Sequence, residues 1–518
     1  MIDFTRAFDT INHNLLWSKL ARLGVSFKFI SILRSLYTSA EFSINPHHGA
    51  DGFEQTITEG VLQGDAISPQ LFIIFLADME TYMRSRGCHG IPIAGRELMV
   101  LFFADDISIL ADSVPDAQMK MRILEDYCRE NHLTINSKKS KIMTFGKGGR
   151  PKRRRSIFCK GEELEYVTTF QYLGVLFSSN GKFTANKDMF VSKAKSAIGS
   201  TREVLWKGKV SAWGSKFKLF DALTGSVLLY AAEVWGLWHM DDIEVVQQLF
   251  LKSILCLQNG TPGHFLRLET GRLPLKASVF ERAVKFLMRV LRMDVNRWPL
   301  LCLRELSKHH MTGRSSEEFN WVSRLDSVLV SLGVVLNWET LSYEQVKAIH
   351  KDLIIMFNNH CHSCDTQRAM NSGYSVLFRS IVDFTGRQSY LGLGGNIHRE
   401  RIIAQLRLAP NGCSFNDVIR FYHKRNKYSW RSNDLCTVCN QRAPETLSHF
   451  LLRCPLYKPY REHYLAAFLH HPLPTSTRWD DTYVTSLLDL GTARNKMQSL
   501  YQFTWRSLML RSFARNEW

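Results

Sequence analysis

Apolar residues recur along the first 180 positions with two different periods. Leu15, Leu16, Lys19, Leu20 and Leu23 fall on one helical face closed by Gly24, and Phe27 to Tyr37 repeats that spacing. Phe53, Gln55 and Ile57 instead alternate with Glu54, Thr56 and Thr58, the period of a strand, after the turn signal HHGADG. Ser68-Pro69 opens a predicted helix whose Phe72, Phe75, Leu76 and Met79 share a face. Leu98 to Phe103 and Ile107 to Leu110 read as short strands joined at Ala104-Asp105-Asp106, a hairpin with acids at its tip. Pro115 then starts a helix bearing Ile123, Leu124, Tyr127 and Cys128, and Leu133 to Phe145 returns to strand. This order predicts a compact α+β unit, an antiparallel sheet with helices on one face and the other face free for a ligand.

From about residue 183 the pattern is almost wholly helical, as in Phe220 to Leu237 and Val279 to Met293. Asn259 to Gly263 and Thr312 to Glu318 read as loops, the second a plausible domain boundary. There is no internal repeat and no low-complexity tract.

Charge narrows the partner. Lys plus Arg number 66 against 48 Asp plus Glu, a formal net charge of +18, which favours a polyanion over an acidic metabolite. Nucleic acid leads, with an anionic membrane surface as the weaker competitor. No run of about 18 uncharged apolar residues exists, and MIDFTRAF lacks the features of a signal peptide, so no membrane partner and an intracellular chain are expected. The 11 cysteines do not form a disulfide framework, but tight pairs among them raise metal binding.

Asp105 and Asp106 interrupt an apolar run, and buried carboxylates are costly without a partner. An Asp-Asp turn is ordinarily a solvated tip. A second acid, Asp3, ends an apolar strand-like beginning. Carboxylates brought together from separate strand ends can hold two Mg²⁺ ions, which stabilise both the attacking and the leaving oxygen in phosphoryl transfer. In TEGVLQGDAISPQLF, Thr58 to Phe72, Gly60 and Gly64 permit close backbone approach and Gln63 can hydrogen-bond a sugar, base or backbone, or the stretch is simply a loop and helix cap.

Together these segments resemble the palm of reverse transcriptases, especially those of non-LTR (LINE-type) retrotransposons. DFTRAFDTINH is similar to the family's first palm motif, EGVLQGDAISP to its second, FADD to its third, LTINSKKSKIM to its fourth and FQYLGVLFSSNG to its primer grip. The resemblance implies an RNA-directed DNA polymerase acting on an RNA template, a DNA primer or target and dNTPs. Asp3, Asp105 and Asp106 would be the catalytic metal ligands, coordinating Mg²⁺ while a primer 3′-hydroxyl attacks the α-phosphate. Phe8 falls at the steric-gate position, where its ring would crowd a ribose 2′-hydroxyl, or is a core phenylalanine. Asp9 follows it without a ligand role. Gln63 and Gly64 would lie along the nucleotide or template, and Lys139, rather than Lys138, would approach the triphosphate or be a solvated strand end. Tyr172, Leu173 and Gly174 would position the primer terminus or form a packed hairpin.

In that family, fingers segments precede the first palm motif. The expectation is therefore a truncated copy with impaired polymerisation, the alternative being a non-catalytic RNA- or DNA-binding remnant. An RNA-templated RNA polymerase fits two-metal chemistry but not Phe8. No stretch long enough for an endonuclease is expected, so the chain would not nick its own target.

Thr224 to Trp238 and RLETGRLPL, Arg267 to Leu275, also resemble LINE segments, with Tyr230, Trp235 and Trp238 read as core. RPKRRR, Arg150 to Arg155, resembles a nuclear-localisation signal, which would make an active protein nuclear; a nucleic-acid-facing or merely solvated loop is the other reading.

Near the end, Cys436, Cys439, His449 and Cys454 have the spacing C-x2-C-x9-H-x4-C, a tetrahedral set for structural Zn²⁺. With the preceding IIAQLRLAP, this resembles the zinc segment of many retrotransposon reverse transcriptases. HCHSC, His360 to Cys364, has no second pair nearby and reads as surface or core. The expected domains are a palm over residues 1–181, a helical thumb and following region over 182–310, a helical connector over 311–425 and a CCHC zinc module with tail over 426–518.

Overall fold

The computed structural model describes residues 1–44, 53–56, 58–62, 64–146, 148–149, 155–314, 316–392, 397–411, 435–436, 438–469 and 476–514. Two compact units divide the chain: residues 1–185 with 293–319, and residues 186–292 with 320–518.

In the first unit, three helices build one layer. His13–Arg22 is capped by Asn12, whose side chain accepts from the Leu15 N–H, and Phe27–Thr38 is capped by Ser26 in the same way. His13–Arg22 packs with both Phe27–Thr38 and Ser68–Leu76, and Val114–Glu130 packs on the helix Met79–Ser85. Leu16, Leu20, Leu33, Phe72, Phe75, Leu124 and Tyr127 are buried between these helices and the strands.

Leu16, Lys19, Leu20, Phe72, Phe75 and Leu76 are buried where their period placed them, whereas Leu23 is exposed just past its helix. Met79 belongs to a second helix, because the chain breaks at Ala77-Asp78 and frees the Asp78 carboxylate to accept from Lys19 Nζ at 2.7 Å and the Tyr127 hydroxyl at 2.6 Å.

The strands form separate two-stranded ladders rather than one continuous sheet. Val100–Phe103 pairs antiparallel with Asp106–Ile109, Glu41–Ile44 with Phe53–Thr56 and Thr169–Tyr172 with Val175–Ser178. Residues 2–4 join the first of these through an antiparallel bridge of Ile2 to Ile107, and on their other side Phe4 bridges Ile135. The N-terminal segment is thus the middle of the platform.

The expected strand from Leu133 to Phe145 survives only as the Ile135 bridge and Lys141–Ile142, which pairs parallel with Glu165–Tyr166. Between them Asn136 turns the chain: its carbonyl accepts from the Ser140 N–H at 2.9 Å and its side chain from the Lys139 N–H at 3.2 Å.

Residues 293–319 belong with this unit, although their helical pattern reads with the preceding segment. Helix Trp298–Met311 packs on strand Ile91–Ile93, and the Arg96 guanidinium donates to the Asn296 carbonyl at 2.8 Å while lying 5.1 Å from the Trp298 ring.

Among the described residues of the second unit the regular structure is all helix apart from a Leu435 to Pro444 bridge. Helix Tyr343–Asn371 is its longest and packs against Gly263–Thr270 and Leu275–Leu291, with Phe280 and Phe357 stacked at 4.3 Å. The stretch from Phe220 to Leu237 is helical in pieces, interrupted where Ala231 takes φ +51°. None of the described helices is long and apolar enough to cross a membrane.

Candidate active site and metal centre

Three carboxylates converge at the hairpin tip. Asp106 stands across from Phe103, with Ala104 at φ +51° and Asp105 making the two-residue turn. The Ile2 to Ile107 bridge sets Asp3 across from Asp106 on the other side, one step along the register. The backbone of Asp3 is fixed: its N–H donates to Ser140 Oγ at 3.1 Å and its carbonyl accepts from the Asn136 N–H at 2.8 Å. Ser140, fully buried, is a positioning residue that the apolar pattern did not single out.

The electrostatics agree with that geometry. The Asp106 carboxyl is held above its ordinary range first by burial and then by the charges of Asp105 and Asp3. Asp3 Oδ2 is buried with no hydrogen-bond partner. An orphaned carboxylate oxygen beside two further acids is an unfavourable arrangement on its own and a fitting one for a divalent cation, whose hard charge prefers oxygen ligands.

The glycine loop is stitched against the first motif. The Gly60 N–H donates to the Ile11 carbonyl and the Val61 N–H to the Phe8 carbonyl, each at 2.8 Å. His13 Nε2 lies 2.7 Å from the Gly60 oxygen, a role the motif match left unassigned. Gly60 has φ +86°, and a β-carbon there would stand 2.8 Å from Asp9 Cα, so only glycine fits this approach. Phe8 is half-buried, its ring 4.7 Å from that of Phe72. Gly64 takes φ +87° in open space, and Gln63 lies outside the described residues.

Lys139 is exposed in the turn held by Asn136, whereas Lys141 is engaged with Glu165 at 2.6 Å. Tyr172 ends a strand and Leu173-Gly174 form its turn, both at positive φ, with Leu173 exposed at the tip. Of the basic run, positions 150–154 lie outside the described residues.

In the second unit Cys436, Cys439, His449 and Cys454 come together, their four ligand atoms all within 4.8 Å of one another. The Cys436 N–H donates to the Ala443 carbonyl at 2.8 Å, closing the turn that carries the C-x2-C pair. The Cys454 N–H donates to the His449 carbonyl at 2.7 Å, and Arg461 donates to the carbonyls of Leu451 at 2.7 Å and Cys454 at 2.9 Å. Three sulfurs and one imidazole in this closed arrangement match the donors that a tetrahedral soft-ligand site needs. By contrast, HCHSC lies within the helix Tyr343–Asn371, with Cys361 buried in the core.

Two of the further segments singled out by resemblance, RLETGRLPL and IIAQLRLAP, meet in a buried ion network. The Arg407 guanidinium from IIAQLRLAP donates to Glu269 from RLETGRLPL at 2.8 Å, and the Tyr390 hydroxyl donates to the same carboxylate at 2.6 Å.

Residues 1–177 match the family model for reverse transcriptase (RNA-dependent DNA polymerase). The chain is 26% identical over 265 residues to the RNA-directed DNA polymerase from mobile element jockey of Drosophila funebris, covering 49% of this chain and 28% of that protein. It is 27% identical over 186 residues to a retrovirus-related Pol polyprotein from type-1 retrotransposable element R2 of Popillia japonica, covering 35% of this chain and 26% of that protein. Against the putative 115 kDa protein in type-1 retrotransposable element R1DM of Drosophila melanogaster, identity is 24% over 311 residues, 57% of this chain and 29% of the relative. The chain thus spans less than a third of the length of each of these relatives. Divalent metal is general to the family, and the carboxylate triad lies wholly within the matched segment: residues 1–177 are a reverse transcriptase domain of the non-LTR retrotransposon kind.

Proposed function

We propose that this chain performs RNA-templated DNA synthesis, joining dNTPs to a primer 3′-hydroxyl with release of pyrophosphate. The observation that carries the reading is the juxtaposition of Asp3, Asp105 and Asp106, with Asp3 Oδ2 buried and unpartnered and Asp106 resisting ionisation beside the other two. Asp3, Asp105 and Asp106 would hold Mg²⁺, which when bound supplies charge stabilisation to the attacking and leaving oxygens. Ser140 and Asn136 hold Asp3 in place for that task.

Around this centre the remaining residues divide the work of binding. Phe8, backed by Phe72, presents an aromatic edge to the sugar of the incoming nucleotide. Gly64, and Gln63 beside it, border the nucleotide or template; Lys139 offers its ammonium to the triphosphate; Tyr172, Leu173 and Gly174 support the primer end. The second unit's Cys436, Cys439, His449 and Cys454 hold a structural Zn²⁺ that fixes a small module for gripping RNA or target DNA.

Primer extension on an RNA template with dNTPs and Mg²⁺, comparing the chain with Asp105→Ala, tests the reading. Extension lost on substitution supports it. Salt-sensitive RNA binding without extension in either protein would instead make the chain a non-catalytic nucleic-acid binder, a reading that the +18 net charge accommodates equally well.

A further inference from the structure

We infer that the exposed face of helix Leu275–Leu291 binds the phosphate backbone of duplex nucleic acid through Arg282, Lys285, Arg289 and Arg292. The inference rests on the proposed function for its choice of polyanion and deepens it by giving that polymer a surface in the second unit.

The helix is sharply two-sided. Val279, Phe280, Ala283, Val284, Leu287 and Val290 are buried, whereas the residues exposed along the helix are Arg282, Lys285 and Arg289, continued by Arg292 at its C-cap. These four cations stand at i, i+3, i+7 and i+10, on one stripe opposite the buried face. Each step sets like charges side by side, which destabilises a helix. Lys285 is relieved by Glu281 at 2.5 Å, the one carboxylate between Gly271 and Met293. Arg282, Arg289 and Arg292 have neither an ion pair nor a side-chain hydrogen bond among the described residues. The helix dipole favours Arg289 and Arg292 near its C-terminal end, but it gives no reason for Arg282 in its middle. What remains is a row of open guanidinium forks, which suit the oxygens of phosphate.

The geometry selects a duplex. From Arg282 to Arg292 the helix axis runs about 15 Å. Over that length one strand of a duplex presents about four phosphates. A single strand also draws on base stacking, and this helix has no ring to offer it: Phe280 stacks on Phe357 at 4.3 Å and Phe286 lies 5.7 Å from Trp321. An anionic membrane shares the need for positive charge, but no large apolar side chain of the helix is exposed to enter it.

The test is equilibrium binding of the full chain to a labelled RNA–DNA hybrid, a DNA duplex and single-stranded RNA, by fluorescence anisotropy across a salt series, the two duplexes distinguishing copied template from target DNA. Replacing Arg282, Arg289 and Arg292 together by Gln should lower the salt slope on duplex by about three phosphate contacts and weaken binding roughly a hundredfold or more. Arg282→Gln alone should remove about one contact, roughly tenfold in affinity, with a melting temperature at low salt no lower than the parent's because a like-charge neighbour is gone. Arg506→Gln, which takes one exposed charge from helix Arg494–Ala514, should keep the slope. An equal loss there would overturn the stripe in favour of net charge. Unchanged duplex affinity and slope in the triple variant would overturn the site outright, as would a loss confined to phosphatidylserine vesicles. Equal weakening on single-stranded RNA would overturn the choice of duplex. Asp105→Ala should keep the full salt slope whatever it does to primer extension, so failure of the polymerase reading and failure of this surface appear in different measurements.

Discussion

Glu269 and Arg407, 138 positions apart, form a fully buried ion pair at 2.8 Å, and the Arg407 guanidinium also donates to the carbonyls of Leu488 at 2.6 Å and Ile381 at 3.1 Å. Arg407 therefore ties three segments of the second unit to one side chain. A buried pair is a modest net stabiliser, but removing one member strands the other. Arg407→Met should cost about 3–5 kcal/mol in denaturant unfolding. With Glu269→Gln added, the combined loss should be smaller than the sum of the single losses, because the two residues share one network. Additive losses would show that the pair is not coupled.

Gly60 makes the corresponding tie in the palm. Gly60→Ala forces an alanine to φ +86° and drives its β-carbon to 2.8 Å from the Asp9 backbone, whereas Gly64→Ala meets only the conformational cost at φ +87°. The conformational term is of order 1–3 kcal/mol in both. Gly60→Ala should therefore be clearly the less stable in thermal melts. Equal melting points would mean that the loop yields without cost.

How far the sequence could be read follows from what each residue answers to. The hairpin acids and the CCHC spacing were legible because chemistry fixes both residue type and interval there. The helix faces were legible because burial repeats with the turn. Lys19 was not: it sits on an apolar face yet donates to the Phe75 carbonyl at 2.7 Å and the Tyr127 hydroxyl at 2.9 Å, a partnership set by distant residues. The Asn136 turn was hidden for a related reason, since Leu133 to Phe145 carries strand-like composition and a local side-chain hydrogen bond broke it. The membership of residues 293–319 in the first unit involves contacts with distant residues such as Arg96, 200 positions before Asn296, and no local pattern encodes that.

The acidic cluster predicts a linked response to pH and metal. A carboxyl held above its unfolded value stabilises the fold at low pH, and that contribution is lost as pH rises through the folded value. For Asp106 the loss begins above 3.8. Without metal, Asp106→Asn should therefore become progressively more stable than the parent chain as pH rises from about 4 to neutrality. Adding Mg²⁺ at neutral pH should raise the melting temperature of the parent and leave the variant nearly unmoved. Identical Mg²⁺ responses would remove Asp106 from the metal site.

Metal analysis of the folded chain should return about one zinc ion per molecule, and chelation should melt the segment around Cys436 to Arg461 as a cooperative step. Cys454→Ser should abolish the zinc content while leaving the palm's Mg²⁺ response intact, since the two sites share no residue. A zinc-free chain prepared without chelator, with its melting unchanged, would show that the four ligand atoms gather for packing alone.

Phe8 separates two roles that its position allows. As a core residue it contributes only through Phe72, 4.7 Å away, and because it is half-buried Phe8→Val should cost less than the roughly 3–5 kcal/mol of a fully buried phenylalanine truncation. As a steric gate it also discriminates sugars, and the smaller valine should raise ribonucleotide use relative to deoxynucleotide by roughly tenfold or more. Single-nucleotide incorporation with dNTP and rNTP in parallel measures the ratio, while a melt measures the packing loss. A changed ratio with a modest melting shift assigns the gate; a lower melting temperature with the ratio fixed leaves Phe8 as a core residue.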